Sequence, residues 1–390
     1  MRRAVAFLVV LFLLAAGGLA GWLWISLKVP YQRFPQEGVF VTVPHGASGR
    51  FVGRILARNG VVRSATVFEL LSRRHPRRTL QAGEYFFDHA VTAGEVFNTI
   101  SSGKIYEKSV TVPEGYTMFD IAQLLEQQGV LNRDEFLAAA RDPSPILDLA
   151  PNARTLEGFL FPATYPFPRH PSAHDVVETM VHRFREVWQR LSPDPESRGR
   201  KLEQVATLAS LVERETPVPA ERPIVAGVFT NRLRRGQALQ CDPTVAYALM
   251  LKGKYTGTLT GTDLRIDSPY NTYQHPGLPP GPIANPGEAS LKAALEPAPV
   301  DYYYFVANTQ GGHFFSKTLA EHNTNVARYR RLLRPNAQSE LAQIEVPEVE
   351  NTPVDTSEPA ALLKKKEPPK KERSIKKQGS RKKPHSKKRS

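Results

Sequence analysis

The feature that most constrains this chain is an uncharged apolar run near its N-terminus, residues 4–27. In a helix that rises about 1.5 Å per residue, this run exceeds the roughly 30 Å hydrocarbon core of a bilayer. A cleaved signal peptide is the competing interpretation, but its apolar region is usually only about 7–15 residues long. This run carries Trp22 and Trp24 at its interface end, and no clean small-x-small cleavage site precedes Lys28. The sequence therefore favours an uncleaved single-pass anchor over residues 1–28.

The charges that flank the run predict its orientation. Arg2 and Arg3 precede it, and basic residues beside a membrane span remain on the cytoplasmic side. The chain from about Pro30 onward is then expected on the other side of the inner membrane, in the periplasm or an equivalent extracytoplasmic compartment.

Most of the positive charge of the chain lies in its C-terminal segment. Residues 364–390 contain fourteen Lys/Arg and two Glu, a net charge of +12, and the whole chain carries +14. With almost no apolar residues the segment cannot bury enough surface to fold, so residues 336–390 are predicted to form a disordered basic tail. Attachment to anionic polymers or lipid headgroups outside the membrane is the other interpretation. Nucleic-acid binding would require the opposite topology, and no nucleic-acid partner is expected.

The cysteine and histidine residues predict neither a disulfide bond nor a metal site. Cys241 is the single cysteine, so no internal disulfide can form. No Cys/His spacing typical of a metal site occurs, and structural or surface roles are expected for His275, His313 and His322. No cofactor and no metal are predicted.

An internal repeat marks the first folded region. VTVPHG at residues 41–46 recurs as VTVPEG at residues 110–115. Each copy precedes an amphipathic segment, residues 52–62 and residues 121–131, and each predicts a strand, a turn and a helix that ends at a glycine. Residues 80–101, between the copies, predict another strand and helix. Two copies are too few for a solenoid, so residues 38–150 are predicted to form small duplicated α+β modules.

A second domain is predicted over residues 151–335, which makes the whole an α+β protein. It begins with an aromatic-rich loop, EGFLFPATY, and contains a long loop rich in Pro, Gly, Asn and Tyr at residues 268–287. Loops of this length in compact domains are usually ligand-facing or disordered. The other predicted elements are helices at 175–191, 201–216, 221–234, 290–295 and 321–333, and strands at 302–307 and 313–316.

Glu215 is the leading candidate for chemistry. In the helix predicted at 201–216, Glu215 lies roughly 20° from Leu208 at about 100° per residue, within the apolar stripe, whereas Glu213 is expected to face solvent. Pro217 then ends the helix. A carboxyl on an apolar face is desolvated, which raises its pKa and allows it to act as a general acid. The alternative is a glutamate that reaches into water or pairs with an arginine.

Seven motifs occur along residues 157–315: EGFLFPATY at 157–165, LASLVERET at 208–216, LQCDPTVAY at 239–247, YNTY at 270–273, GLPPGPIANPG at 277–287, YYFVA at 303–307 and GGHFF at 311–315. GLPPGPI is specific by itself, and NRL at residues 231–233 is uninformative alone. Together these segments resemble the endolytic murein transglycosylases of the MltG/YceG-like family, with the motifs in family order and a match that extends to about residue 333.

The resemblance implies a membrane helix, a LysM-like module and a catalytic domain that acts on peptidoglycan outside the cytoplasm. The family's catalytic glutamate falls on Glu215. The expected reaction cleaves the MurNAc-β-1,4-GlcNAc bond of nascent strands without water, leaves 1,6-anhydro-MurNAc ends and terminates strand elongation. Cys241 departs from the family pattern, where Thr or another small residue is expected, and this exchange is expected to change little. The basic tail is not a family feature.

Four further residues are candidates for sugar hydroxyls and acetamido groups: Asp242, Asn271, Tyr273 and Asn285. A turn-stabilising or packing role is the alternative for each. Glu221 is either a partner of the catalytic group or a cap for the following helix. Expected partners are glycan strands, the inner membrane and the cell-wall synthesis machinery. The rival function is a non-catalytic, membrane-anchored peptidoglycan-binding scaffold.

Overall fold

The computed structural model describes residues 2–192 and 202–333 of the chain. The predicted tail, residues 336–390, lies outside the described residues. The described part combines twelve α-helices with three two-stranded antiparallel sheets, and the prediction of a mixed helix-and-strand protein is confirmed.

The N-terminal apolar run forms a single helix, α1 (Arg2–Lys28). Within the described residues it is the one helix long and apolar enough to cross a membrane, with a mean hydropathy of 2.3 over Val5–Lys28. None of that window is buried by protein, so its apolar side chains need another apolar surrounding. A membrane anchor and a signal sequence both meet these criteria.

The two repeat copies fold alike, each as strand, helix, helix, strand. The first consists of β1 (Val39–Val43), α2 (Gly49–Arg58), α3 (Ala65–Arg74) and β2 (Gly83–Phe87), with β1 antiparallel to β2. After α4 (Ala93–Ser101), the second consists of β3 (Lys108–Thr111), α5 (Met118–Gln127), α6 (Arg133–Ala140) and β4 (Thr164–Phe167), with β3 antiparallel to β4. We call them the first and second modules.

The local chemistry of the two copies explains their shared form. The hydroxyls of Ser48 and Thr117 accept backbone hydrogen bonds at the starts of α2 and α5. Gly60 and Gly129 follow the ends of these helices at φ 73° and 63°, as expected of glycines beyond a helix C-terminus. The predicted strand, turn and helix are therefore present in both copies.

The hydrophobic cores divide the chain differently from the predicted boundary at residue 150. The first module has its own core, which includes Val52, Phe68 and Tyr85. The core of the second module, around Ile121, continues into the core that surrounds Leu211. The closing strand β4 also lies beyond residue 150, so a cut there would separate β3 from its partner.

Among the remaining elements, α8 (Leu202–Glu215) is packed against three later helices. It packs on α9 (Arg222–Arg234), α10 (Asp242–Leu251) and α11 (Glu288–Leu295), and eight of its residues are buried. Before it comes α7 (Ala173–Leu191); after α11 come the hairpin β5 (Tyr304–Ala307) and β6 (His313–Ser316), and then α12 (Leu319–Leu332). The backbone at Ala298 passes close to α9 at Gly227, where a side chain would not fit: a Cβ there would lie 2.5 Å from the Ala298 carbonyl oxygen.

The last turn of α8 joins the second module to the remainder of the fold. Arg222 forms ion pairs with Glu213 at 2.9 Å and with Glu114 at 3.2 Å. Glu213 also accepts a hydrogen bond from the backbone N–H of Gly287 at 3.0 Å. Its side chain is only 6% exposed, so the prediction that Glu213 faces solvent is wrong. The helical phase is correct, but Arg222 and the second module cover that side of the helix end.

Because Glu213 and Arg222 are both buried, we expect Glu213→Ala to lower the free energy of unfolding by about 3 kcal/mol, the cost of leaving one partner of a buried ion pair alone. The matched control is Glu114→Ala. Glu114 pairs with the same arginine, but its side chain is 48% exposed, so we expect this substitution to lower the free energy of unfolding by about 1 kcal/mol or less. Urea denaturation of the full chain in detergent measures both. Equal losses would contradict the assignment of Glu213 as the principal partner.

Candidate active site

Glu215 is the last residue of α8 and faces a cavity of about 620 Å³. Pro217 ends the helix there because the residue before a proline is displaced from the α region. The cavity receives side chains from α8, α9, the start of α10, the loop before α11, the β5–β6 hairpin and α12. Its lining residues are Glu215, Arg232, Leu239, Gln240, Asp242, Tyr273, Phe305, Val306, Ala307, His313, His322 and Arg330.

The surroundings of Glu215 favour its protonated form. Burial is the largest influence and raises the pKa of the Glu215 carboxyl, and the nearby negative charge of Asp242 raises it further. The positive charges of His313 and Arg232 oppose that shift but do not cancel it. A carboxyl that keeps its proton at higher pH than usual can act as a general acid.

Cys241 lies against this carboxyl. Its thiol donates a hydrogen bond that acts to lower the pKa of Glu215, and burial raises the pKa of the thiol well above its usual range. The backbone is fixed here: the Cys241 N–H donates to Thr272 Oγ1 at 3.0 Å, and the Thr244 hydroxyl donates to the Cys241 carbonyl at 2.7 Å. Cys241, the residue that departs from the family pattern, is therefore in contact with the candidate acid Glu215.

Asp242 and Tyr273, both predicted site residues, meet in the cavity. The Tyr273 hydroxyl donates a hydrogen bond of 2.5 Å to Asp242 Oδ1. Burial, followed by this carboxylate, raises the pKa of Tyr273, so the phenol keeps its proton. The pair offers a carboxylate and a hydroxyl to a ligand beside Glu215.

Asn271, also predicted to bind substrate, does not reach the cavity. It is fully buried, and its side-chain amide donates to the carbonyls of Leu264 at 3.1 Å and Ile266 at 2.9 Å. Its side-chain oxygen accepts from the Tyr273 N–H at 3.0 Å. Asn271 therefore shapes the loop that presents Tyr273.

Asn285 is likewise fully buried and bonded within the protein. Its side-chain oxygen accepts from the N–H groups of Gly158 and Leu160 at 2.8 and 2.9 Å. Its amide nitrogen donates to the Tyr116 carbonyl at 2.9 Å and to Glu157 Oε1 at 2.8 Å. These bonds join the second module to the loop before α11, and no polar group of the Asn285 side chain remains for a sugar.

A second desolvated carboxyl, Glu157, shows that burial alone does not identify the acid. Burial raises the pKa of Glu157 to about 8. However, Glu157 accepts from the backbone N–H of Met118 at the start of α5 and is bonded by Asn285, and it does not line the Glu215 cavity. Its position indicates a structural role.

The sequence analysis missed Arg232, which belongs to the NRL motif. Its guanidinium donates from Nε to the Tyr303 carbonyl at 2.6 Å and from Nη1 to the Leu239 carbonyl at 2.8 Å. The neighbouring Asn231 donates to the carbonyls of Val300 and Tyr302. The motif therefore attaches the segment that leads into β5 to α9, a role that no pattern of hydrophobicity indicates.

Glu221 and His313 form another pair at the edge of the site. Glu221 accepts from the His313 N–H at 2.8 Å, and its Oε2 lies 2.7 Å from His313 Nδ1. Burial acts to raise the pKa of Glu221, but the hydrogen bonds from His313 and Thr216 outweigh it, and the pKa is lowered. No side-chain hydrogen bond from Glu221 caps α9, and the Glu221 carboxylate bonds instead to Thr216 and to His313, which lines the cavity. Among the described residues no group of three or more His, Cys, Asp or Glu side chains is arranged to hold a metal.

Comparison with known proteins gives one consistent result. The profile of the YceG-like family matches residues 41–328. A Bacillus subtilis protein named endolytic murein transglycosylase is 34% identical over 320 residues, which cover 78% of this chain and 88% of that protein. A Streptococcus pneumoniae protein of the same name is 29% identical over 359 residues, 83% of this chain and 64% of that protein. The crystal structure of a YceG-like protein from Listeria monocytogenes matches with a TM-score of 0.50 and 34% identity, over 74% of this chain and 99% of that one.

The internal bonding of Asn285 predicts that its loss is a stability defect. Asn285→Ala leaves the buried N–H groups of Gly158 and Leu160 without partners, so we expect the free energy of unfolding to fall by about 3 kcal/mol. Asn152→Ala, on the exposed surface, is the control and is expected to cost about 0.5 kcal/mol or less. Unchanged unfolding of Asn285→Ala together with lost glycan binding would restore its predicted role as a substrate-binding residue.

Proposed function

The chain belongs to the YceG-like family, and on that premise we propose that it is an endolytic lytic transglycosylase that cleaves the MurNAc-β-1,4-GlcNAc bond of nascent peptidoglycan. The observation that carries the proposal is the position of Glu215, a desolvated carboxyl at the wall of a cavity of about 620 Å³. The non-catalytic scaffold is less favoured, because binding alone does not require a protonated carboxyl in the cavity.

The proposed reaction uses Glu215 twice. Its carboxyl first donates a proton to the glycosidic oxygen as the bond from that oxygen to the muramoyl anomeric carbon breaks. The C6 hydroxyl of the same muramoyl residue then attacks the anomeric carbon, and the Glu215 carboxylate accepts the hydroxyl proton. The product is a 1,6-anhydro end, and Glu215 regains its starting state. Because the nucleophile belongs to the substrate, its proximity replaces the second carboxylate of an ordinary glycosidase.

We assign Asp242 and Tyr273 to substrate binding, since both line the cavity and both carry groups that bond sugar hydroxyls or acetamido groups. For Asn271 and Asn285 we propose positioning roles, through the loops that their buried amides hold.

The chain outside the cavity fits the same function. The strand, helix, helix, strand order of the first module supports a LysM-like module that holds glycan strands near the site. We propose that α1 is an uncleaved anchor, with Arg2 and Arg3 in the cytoplasm and the catalytic region outside it. This location adjoins the site of strand synthesis, where cleavage would terminate elongation and where the synthesis machinery is the expected partner.

Replacing Glu215 tests the function directly. Glu215→Gln keeps the size of the side chain but has no proton to donate, so we expect turnover to fall at least about 100-fold, with folding retained. The matched control is Glu296→Gln, an exposed glutamate of the same region, which should change turnover less than about threefold. Mass spectrometry of anhydro-ended products from peptidoglycan, digested with the full chain, measures both. An active Glu215→Gln protein would remove this residue from the mechanism.

The pH dependence provides a separate test. The raised pKa of Glu215 means that activity is present while the carboxyl is protonated and is lost as pH rises through that pKa. Asp242 disfavours ionisation of Glu215, so Asp242→Asn should move the alkaline limb of kcat/KM to lower pH, whatever its effect on maximal rate. Glu296→Gln should leave the limb in place. A limb that stays fixed or moves to higher pH in Asp242→Asn would contradict this electrostatic account.

A further inference from the structure

One wall of the cavity is cationic. It is formed by Arg232 of α9 and by His322 and Arg330 of α12, and we call these three residues the arginine wall. None of the three has a role in the proton transfers proposed for Glu215. Their side chains nevertheless line the same space, so a ligand in the cavity must meet them.

Arg232 carries a half-buried charge with no counterion among the described residues. Its Nε and Nη1 atoms donate to backbone carbonyls, and Nη2 has no hydrogen-bond partner within residues 2–192 and 202–333. No carboxylate of the described residues forms an ion pair with it. Burial acts against its charge and lowers the pKa of the guanidinium. A half-buried charge that backbone carbonyls and the Tyr304 ring stabilise, with the ring centroid 5.1 Å from the guanidinium carbon, is favoured further by an anion that enters the cavity.

The other two residues of the arginine wall also have unused capacity. Arg330 is exposed and forms no hydrogen bond or ion pair with the described part of the chain. His322 stacks on Tyr304, with ring centroids 5.3 Å apart, and its buried Nδ1 has no hydrogen-bond partner in the described structure. Burial and the charge of Arg232 lower the pKa of His322, which favours its neutral ring and leaves Arg232 and Arg330 as the cations of the wall.

The acidic groups that line the cavity do not balance the two arginines of this wall. Glu215 favours its protonated form, and Asp242, which accepts from the Tyr273 hydroxyl, is the other carboxyl that lines the cavity. Two arginines against one carboxylate leave an excess of positive charge, which favours an anionic group on the ligand.

We propose that the arginine wall binds a carboxylate on the lactyl or peptide substituent of the muramic acid at the scissile bond, so that the enzyme prefers acid-bearing strands over neutralised ones. This inference rests on the proposed function. Muramic acid differs from N-acetylglucosamine by an O3 ether that ends in a carboxyl, which is either free or extended by a peptide with further carboxylates. In either form an acid lies within reach of the sugar whose anomeric carbon reacts. Two arginines suit a planar carboxylate, which accepts paired N–H bonds.

The test compares two arginines of α12. Arg330→Gln removes a cation of the wall, and Arg331→Gln removes the adjacent exposed arginine, which does not line the cavity. The substrates are uncrosslinked strands with free stem peptides, the same strands with their carboxylates converted to methylamides, and strands stripped of peptides, which expose the lactyl carboxylate.

We expect Arg330→Gln to raise KM on acid-bearing strands about tenfold, equivalent to about 1.4 kcal/mol, with kcat little changed. Methylamide strands should be cut equally by wild type, Arg330→Gln and Arg331→Gln.

The three substrates also locate the acid. An effect of Arg330→Gln on peptide-bearing strands alone supports the stem peptide as its source, and an effect on stripped strands alone supports the lactyl group. Equal effects on acid-bearing and methylamide strands, or no effect on either, would overturn the proposal. So would an equal rise in KM for Arg331→Gln.

A binding measurement separates this inference from the proposed function. Calorimetry with a soluble muramoyl peptide, using the full chain in detergent, should show about tenfold weaker binding to Arg330→Gln than to Arg331→Gln, and no such difference for the methylamide form. If wild type cuts no strand but shows this difference, the proposed function fails and the carboxylate site stands. If wild type cuts strands but the affinity for the muramoyl peptide changes neither with Arg330→Gln nor with methylamidation, the carboxylate site fails and the proposed function stands.

Discussion

The last turn of α8 is the constraint on which the rest of the structure depends. Three successive residues there serve three different parts of the molecule. Glu213 pairs with the buried Arg222, Arg214 donates to the Gly115 carbonyl of the second module at 3.1 Å, and Glu215 faces the cavity. The direction of the Glu215 carboxyl is thus fixed by the ion pair and the hydrogen bond of the two residues that precede it. A helix end held in this way can keep a desolvated acid in place, where a flexible terminus would let it turn to water.

The sequence predicted this acid because two independent signals agree on it. Helical phase places Glu215 in the apolar stripe, and the family motif ends on the same residue. The same reasoning was wrong for Glu213, because a helical wheel gives the direction of a side chain but not what covers it. Here Arg222 and the loop at Gly287 enclose the polar side of the helix end. A buried ion pair of residues nine positions apart leaves no periodic trace in a sequence.

The asparagines and the domain boundary show the same limit. A long loop without secondary structure must find partners for its backbone groups, and Asn271 and Asn285 supply them from inside. The sequence of the loop at residues 268–287 shows polar residues but does not distinguish the inward asparagines from Tyr273, which does reach the cavity. The repeat identified the opening strand of the second module, but its closing strand β4 follows well after α6, so the repeat alone does not show where that module closes. One shared core, which includes Ile121 and Leu211, joins the second module to the later helices.

The cavity contains a second acid, Asp242, and this makes the identity of the nucleophile the central question. An ordinary glycosidase pairs two carboxylates and adds water to the sugar, whereas our account gives the chemistry to Glu215 alone and assigns Asp242, held by Tyr273, to the substrate. Digestion of peptidoglycan in ¹⁸O-labelled water, followed by mass spectrometry of the new muramoyl ends, distinguishes the two most directly. The account predicts 1,6-anhydro ends that contain no ¹⁸O. Reducing muramic acid ends that carry ¹⁸O at the anomeric carbon would contradict it.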